Sequence, residues 1–169
     1  PSTSIYLLDL IETFNYLIIY HELNLKLIGA DKKILSNLKC SFVNWNEETE
    51  LEELSKCHIG IMPLKNTHWE LGKCSYKILQ YMSLKLAVIA SPIGTNKEII
   101  QDNFNGLFAE NNNEWKSKIL KLKDDVKLLN KLSKNGYDTI LNNFNLEFFQ
   151  KKYIDIINNN IKDNQREKK

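Results

Sequence analysis

The chain predicts an α/β fold, a parallel sheet with helices on both of its faces. Three observations carry that expectation. Short apolar runs alternate along the chain with stretches of helical periodicity, the pattern of repeated strand–helix units. Two runs, Ile59-Gly-Ile-Met62 and Ala87-Val-Ile-Ala90, are nearly all apolar, as strands covered on both faces should be. Each is followed by a loop with a glycine and then by a helix, so both loops are expected at one edge of the sheet.

The elements follow in order. Ser2, Thr3 or Ser4 can cap a first helix, in which Leu7, Ile11, Phe14 and Ile18 recur at helical spacing as far as about His21. Leu25-Lys-Leu-Ile-Gly29 is a short strand stopped by its glycine. Cys40-Ser-Phe-Val-Asn-Trp45 is a second strand, with Phe42 and Asn44 on one face. Glu47 to Lys56 is a charged helix, apolar at Leu51 and Leu54. Strands at 59–62 and 87–90 are each followed by a helix, Ser75 to Leu84 and Asn96 to Gln101. Gly106-Leu-Phe-Ala109 is the fifth strand. The five strands, at 25–29, 40–45, 59–62, 87–90 and 106–109, are expected in one parallel sheet. Beyond Asn111 the chain reads as helical, with breaks near Asp124, Gly136 and Asn145. Residues 1–161 are expected to form one domain, and 162–169, which hold no apolar residue, a disordered polar tail.

Composition narrows the classes of partner. The 169 residues carry 23 Lys and Arg against 21 Asp and Glu, a net charge of +2, and the signs are interspersed. No nucleic-acid-binding field follows from that balance. No apolar run reaches the length of a membrane span, and a cytoplasmic setting is expected. Cys40, Cys57 and Cys74 are odd in number and lack metal spacing, so they read as free thiols.

Two loops hold the candidate chemistry. In the first, Gly72 admits a ligand close to the backbone, Lys73 adds a full charge, and the first amides of the next helix lack partners. A diphosphate fits that set. A tight turn with a solvated lysine fits it too, and on local sequence alone is the more ordinary reading. In the second loop, Ser91-Pro-Ile-Gly-Thr-Asn-Lys-Glu98, Gly94 has the same freedom. Thr95 and Glu98 form a capping box in one reading; in the other, Thr95 and Asn96 amides meet sugar hydroxyls. The residues weigh both equally.

The sequence Trp69-Glu-Leu-Gly-Lys-Cys-Ser-Tyr-Lys-Ile-Leu-Gln-Tyr-Met82, set between these strands, resembles the C-terminal, nucleotide-sugar-binding lobe of retaining GT-B glycosyltransferases, glycosyltransferase family 4 among them. The likeness runs from Pro1 to about Ile157, with its specific motifs between His58 and Ala109. It implies a Rossmann-like lobe without its first strand, which would precede Pro1. It implies transfer of a sugar from a nucleotide-diphosphate donor with retention, in the synthesis of cell-surface polysaccharide or glycolipid, by a larger protein of which this fragment alone is inactive. Donor-binding residues carried over by position are Gly72, Lys73, Cys74, Ser75, Gln80, Gly94, Thr95, Asn96 and Glu98. No catalytic residue is assigned. No Asp-x-Asp pair offers metal ligands, so neither a metal nor another cofactor is expected. The acceptor, a saccharide or a lipid-linked one, belongs to an N-terminal lobe that could also bring peripheral membrane association.

Several positions depart from the family pattern. Two glutamates with seven residues between them usually frame the helix after Gly72; here those positions are Gly72 and Gln80. Gln80 can still meet ribose hydroxyls, and Glu70 replaces the first glutamate only with a loop shift. Lys85 stands where a helix-ending glycine is usual, and Ala87 where proline is. Lys26 and Lys32 match no diphosphate-binding motif. These departures keep two other readings open: a non-catalytic nucleotide-sugar-binding scaffold, and a GT-B nucleotide-sugar epimerase. His21, His58 and His68 have no catalytic spacing. Trp69 is expected to pack, and Trp45 could stack on a base. Cys74 has no histidine to activate it as a nucleophile. Phe144, Phe148, Phe149, Tyr153 and Ile157 form a stripe that should dock on a core.

Overall fold

The computed structural model describes residues 2–166, with side chains described from 3 to 158. An opening 3-10 helix, Ser2–Leu10, leads into α1, Ile11–His21. Then come β1 (Lys26–Ile28), β2 (Ser41–Val43), α2 (Glu50–Ser55), β3 (Ile59–Met62), α3 (His68–Leu71) and α4 (Tyr76–Ser83). They are followed by β4 (Ala87–Ala90), α5 (Asn96–Ile99), β5 (Leu107–Phe108), α6 (Asn112–Asp124), α7 (Val126–Asn143) and α8 (Leu146–Arg166). All five expected strands are present and every pairing is parallel.

The expectation of one continuous sheet is corrected. The ladders form two parallel sheets, β1-β2 and β3-β4-β5. Between β1 and β3 lies an open cavity of about 1130 Å³, bounded by residues of both strands, so no backbone bond joins the halves. A single apolar cluster nevertheless carries both. Leu27 and Leu38 meet Ala87, Ile89 and Leu107 in it, with Phe14 and Leu17 of α1 and Trp115 and Ile119 of α6. Val88 and Ala90, on the opposite face of β4, pack with Ile78 and Met82 of α4 and Ile99 of α5. β4 is thus wholly buried between helical layers, which is why its four residues are all apolar.

Local signals explain most helix ends. Asn111 caps α6 by accepting from the Glu114 amide, and Asp125 caps α7 by accepting from Leu128, so the break near Asp124 is real. The break at Asn145 is real too, its side chain accepting from the Phe148 amide at 2.7 Å. No break occurs at Gly136. There α7 crosses α4 so closely that an added Cβ would lie 3.1 Å from Met82 Cγ, so this glycine serves packing and not a turn. Ser4 does not cap the first helix; its hydroxyl accepts from the Asp31 amide instead. Lys85 takes the left-handed conformation expected of it, with φ of 58°. Its ammonium lies over the Tyr137 ring and its carbonyl accepts from the Ser133 hydroxyl. Ala87 uses the N–H that proline would lack, donating to His58 O at 3.0 Å. α8 is helical as far as Arg166, within the segment expected as a polar tail, and 167–169 lie outside the described residues.

Candidate donor site at the strand ends

The two predicted loops leave the C-terminal ends of the neighbouring parallel strands β3 and β4, as expected. Ser91 begins their connection. Its amide donates to Met62 O at 3.1 Å, and its hydroxyl accepts from the Leu64 amide at 3.0 Å. Further along, Thr95 Oγ1 donates to Lys73 O at 2.5 Å, and Ser75 Oγ donates to Asn96 Oδ1 at 2.6 Å. Ser75 and Thr95 hydroxyls also lie 2.5 Å apart. Each hydroxyl has one hydrogen, so two of these three contacts are hydrogen bonds at any moment. Asn96, fully buried, ends the chain of contacts by donating to Ser91 O at 2.8 Å.

This network corrects the capping-box reading of the second loop. Thr95 makes no capping bond, so the Thr95–Glu98 capping box does not form; the carbonyl of Lys73 has taken its hydroxyl. The side chains of Thr95 and Asn96 are spent on joining the loops. Gly94 has φ of +52°, and an added Cβ would lie 3.0 Å from Leu71 O. Its freedom serves the close approach of α3. Glu98 is exposed on α5, away from these contacts.

The first loop keeps more of its expected character. Gly72, Lys73, Cys74 and Ser75 all border the large cavity. Cys74 is exposed and unpaired, and Cys40 and Cys57 are free as well. An added Cβ at Gly72 would meet only Trp69 O, at 3.7 Å, so that position opens on free space. Ser75, the first residue of the turn into α4, is left-handed with φ of 55°. Among the described residues, no acceptor pairs with the N–H groups of Cys74, Ser75, Tyr76 and Lys77. A left-handed residue in such a run turns successive amides toward one point, an arrangement that binds anions.

Gln80 is on the opposite side of that expectation. It is 6% exposed within α4, and its Oε1 has no hydrogen-bond partner. Among the described residues it is the sole buried side-chain oxygen or nitrogen in that state. Gln80 is not on the wall of the cavity.

Sequence reasoning missed the contacts that hold Lys73. Its ammonium donates to the Tyr6 hydroxyl at 2.8 Å and lies 4.3 Å from that ring's centre. Tyr6 in turn donates to Glu70 Oε1 at 2.5 Å, and the Thr67 hydroxyl donates to Glu70 Oε2. The Thr67 and Tyr6 hydrogen bonds hold the Glu70 carboxyl below its ordinary pKa. Glu70 is buried and fully engaged, so it does not reach out in place of the absent glutamate at Gly72. No local pattern announces a bond spanning 64 residues of sequence.

Other candidates fall away. Lys26 is paired with Glu53 at 2.8 Å, and Lys32 lies 5.9 Å from the Phe42 ring centre. His58 is exposed, and its carbonyl accepts from Ala87 in the sheet. Trp69 is 78% exposed and does not pack; Trp45 has its Cβ against Gly29 and is itself exposed. The aromatic stripe is divided: Phe144, at the end of α7, packs against the cluster that holds Val88, while Tyr153 and Ile157 of α8 are exposed. Among the described residues, no three His, Cys, Asp or Glu side chains gather as a metal site, and no helix is long and apolar enough to cross a membrane.

Comparison with known proteins places the fold. A solved C-terminal domain of a glycosyl transferase group 1 family protein from Francisella tularensis superposes with a TM-score of 0.64 at 23% identity, covering 85% of this chain and 80% of that one. S. aureus TarM, solved with fondaparinux, alpha-GlcNAc-glycerol and UDP, gives 0.73 at 19% identity, covering 94% of this chain and 33% of that one. A probable sucrose-phosphate synthase from Thermosipho melanesiensis is 26% identical over 135 residues, 76% of this chain. The chain spans 30% of that relative's length. The fold is that of a GT-B C-terminal lobe, Rossmann-like, with helices on both faces. The model of the glycosyl transferases group 1 family matches residues 6–125, and the chain belongs to that family.

Proposed function

We propose that this chain is the donor-binding lobe of a retaining glycosyltransferase, and that its first loop holds the diphosphate of a nucleotide-sugar. One observation carries the reading: four consecutive unpartnered amides, Cys74 to Lys77, around a left-handed Ser75, on the wall of a cavity that Lys73, its ammonium held by Tyr6, also borders. Backbone donors and a fixed cation stabilise the charge that develops on a departing diphosphate. TarM was solved with UDP, and Anabaena HepE with UDP-glucose, which supports a nucleotide-sugar as the class of ligand. The Gln80 carbonyl, buried without a donor, suits a ribose hydroxyl once α4 shifts enough to admit one. The donor is the only small molecule the reading calls for, and magnesium is not required. The sugar acceptor and any membrane association belong to the rest of the protein.

Gly72 and the burial of Gln80 favour a second reading, a lobe that binds a nucleotide-sugar without transferring it. Titration with UDP, ADP and GDP separates the readings from none. Amide shifts confined to 72–77, retained in EDTA and abolished by Lys73→Ala, support a donor site. Shifts spread over the whole surface, or a strict need for magnesium, overturn it. Transfer activity of the longer protein then decides between the two.

A further inference from the structure

A lysine side chain is long and flexible, yet Lys73 is held at both ends. Its amide donates to Glu70 O at 3.2 Å, and its carbonyl accepts from the Thr95 hydroxyl at 2.5 Å. At the far end, the ammonium donates to the Tyr6 hydroxyl at 2.8 Å. Among the described residues no carboxylate pairs with Lys73 directly, so a neutral oxygen holds the cation.

The groups at the two ends settle the direction of the bonds between them. An ammonium only donates. An ionised carboxylate only accepts, and the Thr67 and Tyr6 hydrogen bonds hold the Glu70 carboxyl below its ordinary pKa. The Tyr6 hydroxyl therefore spends its one hydrogen on Glu70, at 2.5 Å, and turns a lone pair toward Lys73. Hydrogen bonds in such a chain polarise one another, which makes this phenol the better acceptor. One N–H of the ammonium is used on it, and two remain.

Tyr6 is itself fixed. It is buried, and the 3-10 helix that carries it is tied down on either side of it. Ser4 Oγ accepts from Asp31 N, just past β1, at 2.9 Å. Asp9 pairs with Lys65, just past β3, at 2.9 Å, and its carbonyl accepts from Asn112 of α6 at 2.9 Å. Tyr6, Lys73 and the residues from Cys74 to Lys77 border one cavity of about 1130 Å³.

We propose that Tyr6 is a positioning residue for the diphosphate: it holds the Lys73 ammonium at the cavity wall with two N–H bonds left for an anion, and Glu70 fixes the phenol in the orientation that does so. The proposal rests on the donor reading of the first loop and adds to it the pair of residues that set its cation. Tyr6 acts through Lys73. Restricting a rotamer-rich side chain beforehand lowers the entropy lost on binding, a gain of about three- to tenfold in affinity.

The test compares the unaltered chain with its Tyr6→Phe and Glu70→Gln variants, with UDP as the probe. Relaxation of the Lys73 Cε carbon, measured without UDP, reports the order of that side chain. The amide shifts of 74–77, also without UDP, report the loop, and titration gives the affinity. Tyr6→Phe keeps the ring and removes both bonds. It is expected to loosen Lys73, to leave the 74–77 amides in place and to weaken UDP binding about three- to tenfold. Glu70→Gln keeps the phenol and removes its charged acceptor, and should fall between the other two in both Lys73 order and affinity. Equal Lys73 order or equal UDP affinity in Tyr6→Phe overturns the proposal and leaves the donor site standing. So does a loss of affinity that comes with displaced 74–77 amides in the UDP-free protein, which marks a structural role. An unaltered chain whose 74–77 amides ignore UDP overturns the donor reading, and this one with it. If Tyr6→Phe does not fold, Glu70→Gln decides by the same measures; failure of both to fold assigns the bonds to stability alone and overturns the proposal.

Discussion

Tyr6 donates a 2.5 Å hydrogen bond to Glu70, and the same phenol oxygen accepts from Lys73 at 2.8 Å. The opening 3-10 helix is thereby tied to the loop that bears the candidate anion site. Tyr6→Phe removes both bonds and leaves one oxygen of a buried carboxylate without its donor. The variant is expected to melt at a lower temperature, with the Glu70 carboxyl titrating closer to its ordinary range. The Glu70 carboxyl is held low in the folded state, so its contribution is present above the unfolded pKa and is lost as pH falls through the folded one. Carboxyl-detected NMR on the two proteins checks this; an unmoved Glu70 titration counts against the bond.

Gly60 and Tyr81 form a second long-range pair. A Cβ at Gly60 would lie 2.4 Å from Tyr81 Cγ and 2.8 Å from Tyr81 Cβ, too near the root of that side chain for rotation of the ring alone to relieve. Burial pushes the Tyr81 hydroxyl up to about 12. Gly60→Ala is expected to destabilise the fold by about 1–3 kcal/mol, as overpacking does. Added to Tyr81→Ala it should cost clearly less, a coupling that chemical denaturation of the four proteins measures.

Glu53 holds α2 to β1. Its carboxylate bonds Lys26 at 2.8 Å and Lys56 at 2.6 Å, and these hydrogen bonds lower its pKa to about 2. The folded pKa lies below the ordinary 4.5, so the stabilisation is full above 4.5 and fades as pH falls toward 2. Glu53→Gln should flatten that part of the stability profile and leave the slope above pH 6 unaltered. Urea midpoints collected across the acid range give the answer; parallel profiles for the two proteins would refute the assignment.

Gln80 offers a test in which stability and binding move oppositely. An unpartnered buried carbonyl is a cost to the folded chain, and leucine of similar size removes it. Gln80→Leu is expected to raise the melting temperature while weakening UDP binding, and Gln80→Ala to weaken it by about 1 kcal/mol, one hydrogen bond. Calorimetric titration beside thermal melts reads both. Unchanged UDP affinity in both variants removes Gln80 from the donor site.

The Cβ of a Gly72→Glu side chain meets only Trp69 O, at 3.7 Å. A carboxylate beside Lys73 and the free amides of 74–77 competes with a diphosphate for the same donors. UDP affinity should therefore fall, with little change in melting temperature. Tighter UDP binding by the glutamate variant would refute this competition.

The periodic runs determined which segments became strands and helices. Ala87 to Ala90 is apolar at every position because β4 is covered on both faces, and Asn111 and Asp125 cap their helices with their own neighbours. These are local facts, settled within one turn or one pleat, and the residues state them. The sequence also placed Gly72 to Ser75 at the right sheet edge, because a loop after a parallel strand has one end to emerge from. Partner choice was different. The Thr95 hydroxyl could cap α5 or reach the Lys73 carbonyl, and only the approach of the other loop chose the second. Gly136 has the composition of a helix break, yet Met82 decided its use. The division into two sheets rests on what lies between β1 and β3, whose free edges are 30 residues of sequence apart and carry no mark of it in their side chains. Backbone donors and acceptors are the same in every residue, so whether an edge is paired is fixed by neighbours in space.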